Sequence, residues 1–279
     1  PSYFVKNSVV VSGTCTGFLA NSAIHNMTFD YVIIDEAAKA TFPELIISFI
    51  KAKKIVLVGD HMQPPPILEE DTIKENASVF KDSDIDSSTL YTTIFERLFN
   101  YLPDSNKQRL NMQYRMHPVI GQMISKIFYN STVDDGVEEK DKAHTITEYQ
   151  GYSIIWINTS NEKGKWEKKV ENSTTFTNPL EAQIIKEQLR LIDKSMENDK
   201  YEIGIITPYS GQKEVIRKQL KSMNFSNITE QIPVNSVDAF QGGQKDIIIY
   251  STVRSNKQRN SGFMTKKERI NVFYNRSQK

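Results

Sequence analysis

The chain has 279 residues, 35 of them Lys or Arg and 34 Asp or Glu, so a net charge of +1 gives no global basic field for nucleic acid. Its length suits two cores of about 100 to 150 residues each. Its longest apolar runs, such as Ile55 to Val58 and Ile247 to Tyr250, fall far short of the roughly 18 residues that span a bilayer, no charged and apolar leader opens it, and its one cysteine, Cys15, excludes an internal disulfide and a cysteine-rich zinc module.

These limits predict a cytosolic protein with no membrane segment, and Cys15 is expected in a buried strand. Charge is unevenly spread. Residues 245 to 279 hold nine Lys or Arg against Asp246 and Glu268, whereas 61 to 100 are acidic by five. The basic stretch reads either as a solvated terminus or as a phosphate-facing surface.

In chain order, the first short β-branched run is Val9 to Ser12, a predicted strand. Gly13-Thr14-Cys15-Thr16-Gly17 follows, with the glycines and hydroxyls of a phosphate loop but without its Gly-Lys-Ser/Thr ending; GxxxxGK[ST] occurs nowhere in the sequence. Tyr31 to Ile34 predicts a buried strand that delivers Asp35 and Glu36 at its carboxyl end, where ligands of open α/β sheets bind. Nucleotide hydrolysis needs one carboxylate there to hold Mg²⁺ and a second to orient the attacking water; the same pair also suits a turn before a helix. Lys54 to Val58 predicts the next strand, ending in Gly59-Asp60 with Gln63 beyond it. An uncharged amide there can sense a phosphate, or it can belong to the stiff loop of Pro64, Pro65 and Pro66.

Polar stretches at 82 to 89 and 104 to 107 flank a helix candidate at Phe95 to Tyr101, and the domain boundary is placed at 105. Arg115, in Gln113-Tyr114-Arg115-Met116, and Arg276 near the end are either surface charges or planar cations able to neutralise a transferring phosphoryl group. Residues 131 to 150 are again polar. Ser153 to Ile157 predicts a strand, and 158 to 178, rich in Lys and Glu, a surface excursion. Helical spacing then marks Pro179 to Ile192, with Ile184, Ile185, Leu189 and Ile192 on one face, and Gly211 to Met223. These alternate with strands at Glu202 to Thr207 and Asp246 to Thr252. Such alternation predicts an α/β fold with parallel sheets.

Five stretches in order, DEAAK at 35 to 39, GDHMQPPP at 59 to 66, QYRMHP at 113 to 118, VDAFQGGQKD at 237 to 246 and RINVFYNR at 269 to 276, resemble the core of the Upf1-like helicases of superfamily 1. VVVSGTCTG, the stretch from Ser88 to Leu98, ITPYSGQ and STVRS are similar as well, so the resemblance covers nearly the whole chain. It implies two RecA-like domains, residues 1–105 as the later part of the first and 106–279 as most of the second. It implies ATP and Mg²⁺ as cofactors, with Asp35 as metal ligand, Glu36 as catalytic base, Gln63 as γ-phosphate sensor, Arg115 and Arg276 as arginine fingers, and Gln113, Gly242 and Gln244 beside the nucleotide. Gln241 and Gly242 fall in the stretch that couples nucleotide to strand. Thr14, Thr207, Pro208 and Thr252 fall where relatives touch the sugar-phosphate backbone, which implies single-stranded RNA or DNA as partner.

The sequence departs from that pattern at Lys39, where relatives carry Gln, at Pro64 (Leu), at Gln244 (Glu), and at 273 to 277, where relatives carry an ALTRA-like segment. With no phosphate loop, the expectation is a part of a longer 5′ to 3′ helicase whose isolated fragment is inactive. The alternative is a non-catalytic binding or scaffold module.

Overall fold

The computed structural model describes residues 2–20, 22–24, 26–66, 93–196, 200–240, 243–265 and 267–279. The chain divides into two compact units, Pro1–Arg109 and Leu110–Lys279. No helix among the described residues is long and apolar enough to cross a membrane.

In the first unit two short helices, α1 (Ser2–Lys6) and α2 (Gly17–Ala20), precede strand β1 (Phe29–Ile34). β1 pairs in parallel with β2 (Ala52–Leu57), Phe29 opposite Ala52 and Ile34 opposite Leu57. Parallel strands need a crossover, and α3 (Phe42–Phe49) lies on it, opened by Thr41 and Glu44: the Glu44 carboxylate accepts from the Thr41 backbone N–H at 2.8 Å. Ile34, Ala37, Ala38, Leu45 and Phe95 make the buried core, the last from α4 (Ile94–Tyr101).

The second unit begins with β3 (Met112–Gln113), α5 (Pro118–Phe128), β4 (Asp134–Asp135), parallel to β3, and α6 (Glu139–Lys142). An antiparallel pair, β5 (Lys168–Lys169) and β6 (Phe176–Thr177), leads to the long helix α7 (Pro179–Ser195). Then come β7 (Ile203–Ile206), α8 (Ser210–Leu220), β8 (Val234–Asn235), β9 (Ile247–Tyr250) and α9 (Lys267–Tyr274). β8, β7 and β9 form a parallel sheet with β7 in the middle, so all four residues of β7 are buried, the signature of a strand covered on both faces. Ile185, Leu189 and Ile192 of α7 pack with Ile203, Ile205, Ile216 and Val234. The fold is mixed α/β with parallel sheets, as the alternation of runs and helices predicts.

Two predicted strands do not form. Val9 to Ser12 lies outside any ladder, with Val9 and Val10 exposed. Ser153 to Ile157 is likewise unpaired, and its isoleucines stand off from the β9 edge across a cavity of about 400 Å³. β-branched composition supplies propensity, not a hydrogen-bonding partner. Cys15 is half-buried in the turn before α2, packed at the rim of the first core, rather than in a strand. The polar stretch 82 to 89, residues 88 to 92, Gln241 and Gly242 lie outside the described residues.

Candidate nucleotide and nucleic-acid site

Because β1 and β2 are parallel and end in register, everything that follows them emerges at one edge of the pair. The ladder runs one step further, Val58 N–H donating to Ile34 carbonyl and Ala37 N–H to Val58 carbonyl, both at 2.8 Å. Asp35 and Glu36 therefore sit beside the Gly59-Asp60 turn, and both are exposed. Glu36 takes the left-handed conformation, φ 55° and ψ 32°, uncommon outside glycine. Its amide donates to Asp35 Oδ1 at 2.8 Å. Gly59 has a packing reason: a Cβ there would stand 2.9 Å from the Ala38 amide nitrogen and 3.1 Å from the Phe95 ring.

Asp60 folds the next turn by accepting from Met62 N–H and from Gln63 Nε2, both at 3.0 Å, which fixes the Gln63 amide. Gln63 Oε1 is buried and has no hydrogen-bond partner among the described residues. An unmet buried acceptor is costly. Lys39 Nζ lies 2.9 Å from Glu36 Oε2. No three His, Cys, Asp or Glu side chains converge among the described residues, so no all-protein metal cage exists there. A lone exposed carboxylate at a strand end nevertheless fits Mg²⁺, which keeps several waters and takes other ligands from phosphates.

In the second unit three segments meet at the amino end of the sheet. Lys245 N–H donates to Arg276 carbonyl, Gln278 N–H to Lys245 carbonyl, and His117 N–H to Gln278 carbonyl, at 2.9 to 3.0 Å. Burial pushes His117 below the usual histidine range, keeping Nδ1 an acceptor for Val119 N–H at the start of α5. The exposed Arg115 donates through Nη1 to the carbonyl of Asn275, the residue before Arg276, at 3.4 Å. The two candidate fingers are thus neighbours. They differ in state: Arg276 is only 4% exposed and donates to Gly243 carbonyl at 3.4 Å. Gln113 spends its amide on its own turn, accepting from Arg115 and Met116 N–H at 2.8 Å and donating to Met116 carbonyl and to Asp135. These bonds fix the turn that carries Arg115. Gln244 is exposed at the rim of a polar cavity of about 480 Å³.

The opposite, carboxyl edge of the same sheet carries Thr207 and Pro208 after β7 and Ser251 to Val253 after β9. Glu181, in the first turn of α7, holds the second loop. Its carboxylate accepts from Ser251 Oγ at 2.6 Å, Thr252 Oγ1 at 3.0 Å and Val253 N–H at 2.9 and 3.0 Å. Val253 sits at φ 67°, a strained position for a β-branched residue that persists only where its surroundings over-determine it. Gln212 of α8, fully buried, donates to Ser251 Oγ and to Asn178 carbonyl and accepts from Asn178 N–H, which ties both helices to the loop.

Residues 2–70 match a family model described as an AAA domain, and residues 90–279 match a second model with the same description. The chain belongs to the Upf1-like helicase family of superfamily 1. It is similar to Regulator of nonsense transcripts 1 of Caenorhabditis elegans, at 32% identity over 276 residues covering 96% of this chain and 24% of that protein. ATP-dependent helicase NAM7 of Saccharomyces cerevisiae is 33% identical over 276 residues, 94% of this chain and 26% of that protein. DNA polymerase alpha-associated DNA helicase A of Schizosaccharomyces pombe is 31% identical over 279 residues, 96% and 38%. The chain spans about a quarter of the length of the first of these relatives.

Within this Upf1-like chain, Asp35, Glu36 and Gln63 share one sheet edge, Arg115 and Arg276 share another, and Thr252 lies in the loop after β9. Thr207 is fully buried and its hydroxyl has no partner among the described residues, so its side chain is not on an accessible surface. Thr14 is exposed and spends its hydroxyl on Gly17 N–H at 3.0 Å, starting α2. Gly242 lies outside the described residues. Glu181, Asn178 and Gln212 are not among the residues that the sequence motifs mark as functional. Asn178 followed three positions later by Glu181, before an apolar helical run, is a helix-start signal that was available.

Proposed function

We propose that this chain supplies the hydrolytic carboxylates, the arginine fingers and part of the strand grip of a longer ATP-dependent helicase. In this reading residues outside the chain supply the phosphate loop. Support comes from the absence of GxxxxGK[ST] in a sequence matched along both AAA-domain models, and from relatives of which it spans a quarter. In this reading residues 1–105 are the later part of one RecA-like domain and residues 106–279 most of a second.

The observation that carries the reading is the grouping of Asp35, Glu36 and Gln63 at the carboxyl end of parallel strands β1 and β2. Asp35 would hold Mg²⁺ through water, and the ion would stabilise the charge that develops on the transferring phosphoryl group. Glu36 takes a proton from the attacking water, and Gln63 senses the γ-phosphate. Arg115 and Arg276 neutralise the phosphoryl oxygens, and Gln113, Gly242 and Gln244 flank the nucleotide. Thr14, Pro208 and Thr252, with the backbone of Thr207, contact the sugar-phosphate chain of single-stranded RNA or DNA. Backbone contacts position without reading sequence. Movement runs 5′ to 3′, as in the family.

The test is steady-state ATP turnover by the full-length protein with and without single strands. Glu36→Gln keeps the shape and removes the base, and should lower stimulated turnover at least about 100-fold. Turnover that survives the substitution refutes the assignment.

One observation favours a second reading, a non-catalytic binding module. Lys39 stands where relatives carry Gln, and its ammonium occupies a Glu36 oxygen that the water would need. Retention of both acids and both arginines favours the enzyme.

A further inference from the structure

The excursion at 158 to 178 is docked, not loose. Glu167 accepts from Arg254 Nε at 2.9 Å, Ser255 N–H at 2.8 Å and Asn256 Nδ2 at 3.1 Å, and its own N–H donates to Ser255 carbonyl at 3.0 Å. The ion pair is nearly buried, with side chains 12% and 10% exposed. The Arg254 guanidinium also lies over the Phe176 ring, 4.4 Å from its centroid, and that ring meets Tyr209 edge-on at 5.6 Å. Asn178 Nδ2 donates to Lys165 carbonyl at 3.0 Å, and Gly211 N–H to Thr175 Oγ1 at 3.0 Å. These bonds hold the hairpin against the segments just beyond Thr252 and Pro208.

What the docked hairpin presents is basic and aromatic. Lys163, Lys165, Lys168 and Lys169 fall within seven residues. Of the three acids in the hairpin, Glu167 has its charge answered by Arg254, and Glu162 and Glu171 are exposed on either side of the lysine cluster. Lys163, Lys168 and Lys169 are exposed, and so is Trp166, at 44%, with Lys165 Nζ 5.0 Å from its ring centroid. A large apolar ring left in water on a rigid hairpin has no role in the core. Cations around an exposed ring are what a single strand requires, because bases stack on the ring while ammonium groups meet the phosphates.

We propose that the hairpin from Ser160 to Thr177 is a second grip on single-stranded nucleic acid, with Trp166 as a base-stacking platform and Lys163, Lys168 and Lys169 as phosphate contacts. It rests on the assignment of the carboxyl edge to the nucleic acid and extends that path by one further segment. Stacking and phosphate contact are shared by RNA and DNA, so both polymers should use it.

The experiment is fluorescence anisotropy of the whole chain with labelled oligo-uridine and oligo-deoxythymidine of about 15 nucleotides. Trp166→Ala should weaken binding about ten-fold for both polymers. Lys168→Ala with Lys169→Ala should flatten the salt dependence of log K by about 1.4, or 0.7 per lost contact. In a Trp156→Phe chain Trp166 is the one remaining tryptophan, and its emission should be quenched as anisotropy rises. Binding that Thr252→Val weakens and Trp166→Ala leaves unchanged, or binding without quenching, overturns the second grip and spares the carboxyl-edge assignment. Weakening by Trp166→Ala but not by Thr252→Val supports the grip and counts against that assignment. An unaltered chain that binds neither polymer at about 50 mM salt overturns both.

Discussion

Removing the Glu181 carboxylate should cost the second unit more than any single surface change. It answers four donors, the Ser251 and Thr252 hydroxyls, the Val253 amide and, at 3.4 Å, the Asn178 side-chain amide. Ser251 and Val253 are buried, at 1% and 0% exposure. In Glu181→Ala the Ser251 hydroxyl keeps its bond from Gln212, but the Val253 amide loses its acceptor while its residue remains at positive φ. A charge-assisted bond contributes about 1.5 to 3 kcal/mol and an orphaned buried donor costs about 1 to 3 kcal/mol, so a loss of about 3 kcal/mol is expected. For a unit of this size that lowers the melting temperature by roughly 6 to 12 °C. Glu181→Gln keeps one acceptor and turns an amide NH₂ toward the Val253 N–H, so it should fall between the parent and the alanine variant. Guanidinium unfolding of the whole chain, with exposed Glu187→Ala as control, measures all three. A loss below about 1 kcal/mol in Glu181→Ala would show that the loop holds itself and would refute the account.

Lys39→Gln removes the ammonium from Glu36. Exposed ion pairs are worth about 0.2 to 1 kcal/mol, so freeing the carboxylate should raise nucleic-acid-stimulated turnover of the full-length protein about 1.4- to 5-fold; a fall would assign Lys39 to nucleotide binding instead. Asp193 accepts from the backbone N–H groups of Ser226, Asn227 and Ile228, each at 2.8 Å. Burial alone would raise its carboxyl, but those three donors outweigh it and hold the group below the usual aspartate value of 3.8. The native pKa is depressed, so the stabilisation is complete above 3.8 and is lost as pH falls through the lower native value. Asp193→Asn should therefore cost about 2 kcal/mol at neutral pH, and the gap to the parent should close in acid when unfolding is followed by circular dichroism.

Much of this was legible because the chemistry sits where short apolar runs stop. Tyr31 to Ile34 and Ile55 to Val58 could be seen to end in Asp35, Glu36 and Gly59-Asp60, and strand ends are where α/β proteins keep their ligands. Pairing across sequence was not legible. Glu167 and Arg254 are 87 positions apart, and composition shows each only as one more charge. Ser153 to Ile157 has a strand's composition and no ladder, since a strand is completed by its neighbour. Arg276 reads from sequence as either a surface charge or a finger, and its burial comes only from the crossing of 243 to 246 with 275 to 279.

β9 joins the two working edges of the second unit. At one end Lys245 is hydrogen-bonded to the arginine-bearing segment; at the other Ser251 enters the Glu181 clasp. The four paired residues between, Ile247–Tyr250, span about 13 Å. A strand laddered to a buried neighbour is stiff along its length, so a displacement at the arginine end reaches the threonine loop with little damping. Under the proposed function, the reach of the arginine segment would set the displacement at the threonine loop, and a softer strand would uncouple the two edges.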